Sequence, residues 1–135
     1  MPNNLVYRSF APKFRYIFLL TAVLLGGYIL VRSLTPMQAS VSVAGLDKVV
    51  HLCAYLVLGT MCLPAFPRLH PGFVWLGLAL FGAAIEFAQG AMNEGRSADI
   101  LDEIANMSGA ALAVVFWVIV TFLWHKIREK QDLKP

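Results

Sequence analysis

Apolar residues fall into four runs, separated by short stretches rich in proline, glycine and charge. The first runs from about Arg15 to Leu34, through Ile17-Phe18-Leu19-Leu20 and Val23-Leu24-Leu25, behind Arg8, Lys13 and Arg15. The second, about Asp47 to Phe66, follows an uncharged loop containing Pro36 and Gly45 and closes at Pro64 and Pro67. The third, about Gly72 to Met92, opens behind Pro71 and carries a single carboxylate, Glu86. The fourth extends from about Asp99 to Trp124, long enough to begin in the membrane interface or to tilt. A hydrocarbon core about 30 Å thick takes roughly 20 helical residues per crossing, so each run predicts one transmembrane helix. The expected fold is all-α, a polytopic four-transmembrane-helix bundle at 15–124, with an N-terminal segment at 1–14 and a tail at 125–135.

Composition agrees with lipid as the solvent. Of the 135 residues, 59% are apolar and 14% charged, which leaves no room for a separate soluble domain. The basic residues before the first run resemble a secretory signal, yet no small-x-small cleavage site follows, so an uncleaved helix is expected. Cys53 and Cys62 are nine residues apart, roughly 13 Å along one helix, too far to bridge.

Charge then orients the bundle. Arg8, Lys13, Arg15, Arg68, Lys126, Arg128, Lys130 and Lys134 fall on one side and only Arg32, Lys48 and Arg96 on the other. The positive-inside rule therefore puts both termini in the cytoplasm. Asp47, Glu86, Glu94, Asp99, Asp102 and Glu103 lie on or toward the outer side. The pI near 9.1 is thus a topology signal rather than a nucleic-acid footprint.

Polar residues inside the apolar runs form stripes. Asp47, His51 and Tyr55 are spaced by four, with Lys48 beside them. Glu86 and Gln89 are three apart near the outer end of the third helix, where Gly82 admits a neighbouring helix. Asp99, Asp102 and Asn106 share a face of the fourth helix, next to a ridge of small residues, Ala105, Gly109 and Ala113. An ionised Glu86 facing lipid would cost on the order of 2.5 to 3.5 kcal/mol, so a partner is expected among His51, Lys48, Arg96 and Arg32. Simpler roles exist for several of these residues. Asp47, Ser97 and Asp99 suit helix caps, Asp102 suits a helix N-terminus, Arg32 and Lys48 can snorkel, and Tyr55 can simply pack. Glu86, His51 and Asn106 need no cap and point to a shared polar network.

Taken together, Asp47-Lys48-x-x-His51-x-x-x-Tyr55, Glu86-x-x-Gln89 and Arg96-Ser97-x-Asp99-x-x-Asp102-x-x-x-Asn106-x-x-Gly109 resemble the VanZ-like family of small bacterial membrane proteins. Ser33-Leu34-x-Pro36 is similar to that family's first-loop signature, and Ala113 stands where a second glycine is usual. The resemblance covers about Ser33 to Ala113. It implies a bacterial inner-membrane location and, for the name-giving member, a contribution to teicoplanin resistance, with no established enzymatic activity.

Three functions remain open on sequence grounds. The first is a non-enzymatic outer-side pocket lined by Asp47, Lys48, His51, Glu86, Gln89, Arg96, Asp102 and Asn106, binding an envelope lipid headgroup or a membrane-protein partner, with Lys48 and Arg96 on phosphate or carboxylate. The second is an acid/base enzyme acting on an envelope lipid, with His51, Glu86 and Asp102 as catalytic candidates. The third is a small proton-linked transporter, against which stand the apolar cytoplasmic halves of the helices. No cofactor is expected, and a lone histidine in the cluster argues against zinc.

Overall fold

A computed structural model describes residues 12–35, 45–92 and 98–132. They form four α-helices: α1 (Pro12–Leu34), α2 (Leu46–Ala65), α3 (Pro71–Met92) and α4 (Ile100–Asp132). All four are long and apolar enough to cross a membrane. The predicted all-α bundle is therefore present, with helix limits that differ in detail from the apolar runs.

Local chemistry explains those limits. Pro71 occupies the first position of α3, where a missing N–H costs nothing and its fixed φ suits the helix. Gly45 precedes α2 with φ +84°, a left-handed conformation that glycine adopts without penalty. Pro64 lies in the last turn of α2 and is tolerated there, and the Phe66 N–H still reaches the Cys62 carbonyl at 3.0 Å. Asp99 accepts the Leu101 N–H on Oδ1 at 2.9 Å and so caps α4. The fourth helix continues past the apolar run ending at Trp124, through Lys126, Arg128, Glu129 and Lys130, because these residues are good helix formers. There the Arg128 guanidinium lies 5.3 Å from the centre of the Trp124 ring.

Packing centres on α2, which touches all three other helices and α4 most extensively. The core contains Ala22 and Ile29 of α1, Tyr55, Leu58 and Leu63 of α2, Val74, Leu78 and Ile85 of α3, and Ala110 and Ala113 of α4. Large apolar side chains cover the outside, among them Leu24, Val31, Phe73, Phe116 and Phe122. The contrast is sharpest at two neighbours on α3: Phe87 is 79% exposed and Glu86 only 6%. Lipid solvates the phenyl ring and cannot solvate the carboxyl group, so the helix turns its polar face inward.

The small residues of α4 determine how close α2 can come. A Cβ on Gly109 would collide with the Leu52 carbonyl oxygen, and one on Gly59 would collide with the Ala113 methyl. The two backbones thus meet along the predicted ridge, as in close-packed membrane helix pairs. Side-chain bonds fix the remaining helices. The Trp75 indole donates to the Met107 carbonyl at 3.1 Å, the Gln89 amide to the Ser33 carbonyl at 2.8 Å, and Arg15 Nε to the Ala65 carbonyl at 3.0 Å.

Gly109→Ala should lower stability by about 1 to 3 kcal/mol, since the added methyl forces α2 and α4 apart. Gly77, with nothing within 4 Å of an added Cβ, provides the control. Thermal unfolding in detergent should show a depressed midpoint for Gly109→Ala and none for Gly77→Ala; equal midpoints would rule out the backbone approach.

Candidate functional site

Lys48 lies in the first turn of α2, and Asp99 and Asp102 flank the start of α4. Because α2 and α4 begin at the same end of the bundle and touch at Leu52 and Gly109, these residues are brought face to face. Lys48 Nζ donates to Asp99 Oδ2 at 2.5 Å, to Asp102 Oδ1 at 2.7 Å and to Asp47 Oδ2 at 2.8 Å. An ammonium has three N–H donors, and all three are committed to carboxylates. The Lys48 and Asp102 side chains are 28% and 16% exposed, which shields this pair from solvent more than a surface ion pair. Capping and ion pairing prove compatible at Asp99, where Oδ1 caps α4 and Oδ2 binds Lys48.

One turn deeper, His51 Nδ1 lies 3.0 Å from Asn106 Oδ1, and His51 Nε2 lies 3.7 Å from Asp102 Oδ2. Asn106 is 1% exposed, and its Nδ2 donates to Glu103 Oε2 at 3.3 Å. Glu86 arrives from α3. Its Oε2 accepts the backbone N–H of Asp99 at 2.9 Å, while Oε1 has no partner among the described residues. A ring nitrogen of His51, a carboxylate oxygen of Glu86 and one of Asp102 all lie within 4.8 Å of one another. The Tyr55 hydroxyl, also buried and without a partner among the described residues, lies beside this layer.

The structure thus brings together Asp47, Lys48, His51, Glu86, Asp102 and Asn106 at one end of the bundle. Gln89 stands apart from that network and instead ties α3 to the last turn of α1. Arg96 lies outside the described residues. Among the described residues Glu86 receives the Asp99 backbone N–H and has His51, one of the expected partners, within 4.8 Å.

One contributor is absent from the sequence candidates, and a second has a wider role than its sequence position suggests. Glu103 was counted only as an outer-side acid, yet it lies three residues from Asn106, a spacing that already places both on one face. Gly82 was read as room for a neighbouring helix. A Cβ there would meet the Glu103 carboxylate and Asn106 amide of α4 and the Tyr55 hydroxyl of α2, so the missing side chain admits the neighbouring helices as expected, and what it admits is polar.

Electrostatically the described cluster is short of positive charge. Three carboxylates, those of Asp47, Asp99 and Asp102, surround the single ammonium of Lys48, and two more carboxyl groups, those of Glu86 and Glu103, join the cluster through the Asp99 N–H and Asn106. The hydrogen bond from Lys48, helped by the Leu101 N–H, holds the Asp99 carboxyl below the usual aspartate range.

A family model described as VanZ/LLP1 matches residues 4–122, most of the chain. No curated protein and no solved structure matches.

The depressed Asp99 carboxyl fixes the sign of an acid effect. A group whose folded pKa lies below its unfolded value contributes stability above that unfolded value, near 3.9, and loses it as pH falls through the folded pKa. Asn caps helices about as well as Asp, so Asp99→Asn removes the charge and keeps the cap. Thermal unfolding in detergent between pH 7 and pH 3 should show a lower midpoint for Asp99→Asn at pH 7 and a smaller drop below about pH 4 than in wild type. Parallel curves would exclude the ion pair as a source of stability.

Proposed function

The chain belongs to the VanZ/LLP1 family, and we propose that it is a bacterial inner-membrane protein whose extracytoplasmic polar site binds the headgroup of an envelope lipid. The split of Lys and Arg between the two sides supports this orientation: Arg68 and the basic residues after Trp124 lie opposite the end that carries Lys48. Both termini are then cytoplasmic, and the Lys48 cluster opens toward the outer leaflet, level with lipid headgroups.

The observation that carries the reading is the shortage of hydrogen-bond donors. Lys48 has none left, and Glu86 Oε1 has no partner among the described residues although Glu86 is almost fully buried. Leaving a buried polar group unsatisfied costs about 1 to 3 kcal/mol, more for a charged one. A headgroup bearing an amine or hydroxyls supplies the missing donors. This shifts the emphasis from phosphate, which Lys48 would have to leave its three carboxylates to bind, toward the donor-bearing part of the headgroup. A role in the glycopeptide response follows where that headgroup belongs to a cell-wall precursor lipid.

Lipid mass spectrometry on protein purified in mild detergent tests the reading. Wild type should retain one lipid class enriched over the bulk membrane. Glu86→Gln should reduce that enrichment about 10- to 100-fold, the loss expected for one hydrogen bond to a charged group worth roughly 1.5 to 3 kcal/mol. Identical lipid profiles would defeat the proposal.

One observation favours a second reading, an acid/base enzyme acting on an envelope lipid. His51, Glu86 and Asp102 lie close enough to pass a proton through one intervening water. Membranes containing wild type and the double variant Glu86→Gln, His51→Ala should then differ by at least about 100-fold in turnover of the retained lipid. Equal turnover would leave binding alone.

A further inference from the structure

The ion-pair cluster leaves one arrangement unexplained. Asn106 Nδ2 donates to Glu103, so Asn106 Oδ1 faces His51 as an acceptor and the His51 Nδ1 proton is directed at it. In the neutral ring this leaves the lone pair on Nε2, which looks toward Asp102 Oδ2 at 3.7 Å. A lone pair facing a carboxylate oxygen is repulsive unless a proton or a metal ion lies between them. Glu86, only 6% exposed and with Oε1 unpartnered among the described residues, adds a further oxygen to the same spot.

We propose that His51, Glu86 and Asp102 bind a divalent transition-metal ion of the zinc type, through one imidazole nitrogen and two carboxylate oxygens. The three ligands come from three helices, α2, α3 and α4. That donor set leaves a coordination position open, as in catalytic rather than structural zinc sites. Asn106 supplies the outer support that metal-binding histidines require, a carbonyl oxygen that takes the other ring N–H and fixes the ring. Ligand atoms at about 2 Å from a common tetrahedral ion are about 3.3 Å apart, so a spread of up to 4.8 Å must contract by up to about 1.5 Å.

Lys48 opposes the ion, since it holds Asp102 Oδ1. It leaves Oδ2 available, and Asp47, Asp99 and Glu103 outweigh its charge. From the sequence, His51 with Asp47 and Glu86 forms a candidate metal set that a single histidine weighs against; in the folded chain Asp102 takes the place of Asp47 beside His51 and Glu86.

The test uses the full chain in detergent, stripped of metal and lipid and titrated by calorimetry with Zn²⁺ and, separately, Mg²⁺. Wild type should bind one Zn²⁺ per chain and Mg²⁺ far more weakly, because imidazole favours the transition ion. Glu86→Gln and His51→Gln should each weaken Zn²⁺ binding more than about 100-fold, and Asn106→Ala by about 10- to 100-fold. Absence of stoichiometric Zn²⁺ binding to wild type, or unchanged binding in Glu86→Gln and His51→Gln, would overturn the site. Should a variant fail to fold, nuclear magnetic resonance of the His51 ring in wild type decides: saturating Zn²⁺ must shift its Nε2 signal, and an unmoved signal refutes ligation. Metal-free protein that still retains its lipid separates this result from the headgroup proposal.

Discussion

Contact between two backbones, Gly109 on α4 and the Leu52 carbonyl on α2, is the constraint on which the polar end of the bundle depends. It sets the distance between the helices, and with it the distance between everything they carry. His51 adjoins Leu52, and Asn106 lies one turn before Gly109, so the pair that meets at 3.0 Å is positioned directly by the close approach. Lys48, one turn before Leu52, is delivered to Asp99 and Asp102 by the same geometry. Pushed a few ångströms apart, the helices would lose these bonds together with their packing along the α2–α4 seam.

Lipid supplies the second half of the logic. A water-soluble bundle could leave five carboxylates on its surface at little cost, but hydrocarbon cannot hydrate them. The charges are therefore collected at one end, between helices, where Lys48 and backbone N–H groups meet them. Breaking such a network by removing one partner leaves a poorly solvated charge behind, so its members are energetically interdependent. Mutual dependence of this kind suits a site that must hold a shape before anything binds.

Much of this was legible in the chain. Length and hydrophobicity marked four spans because a bilayer permits few alternatives, and spacing by three and four placed Asp47, His51 and Tyr55 on one face and Asp99, Asp102 and Asn106 on another. Periodicity within a helix says nothing about which helix lies opposite, so Lys48 could not be matched with Asp99 and Asp102 beforehand. Glu103 reads in the sequence only as one of the outer-side acids, since its hydrogen bond to Asn106 acquires meaning only once Asn106 is seen to be buried against α2. The choice between cap and ion pair at Asp99 could not be made because the residue serves both with different oxygens. Helix α4 ran past its predicted end because charged residues stop an apolar run without stopping a helix.

That length gives α4 a mechanical character. Its 33 residues make a rod of roughly 50 Å, well beyond the thickness of the hydrocarbon core. Such a rod is stiff, and its first turn is gripped by Lys48. A change of tilt of about 5° at the gripped end would sweep the far tip, around Lys130, through roughly 4 Å on the opposite side of the bilayer. Rearrangement among a few carboxylates on one surface thus has a built-in lever to the other.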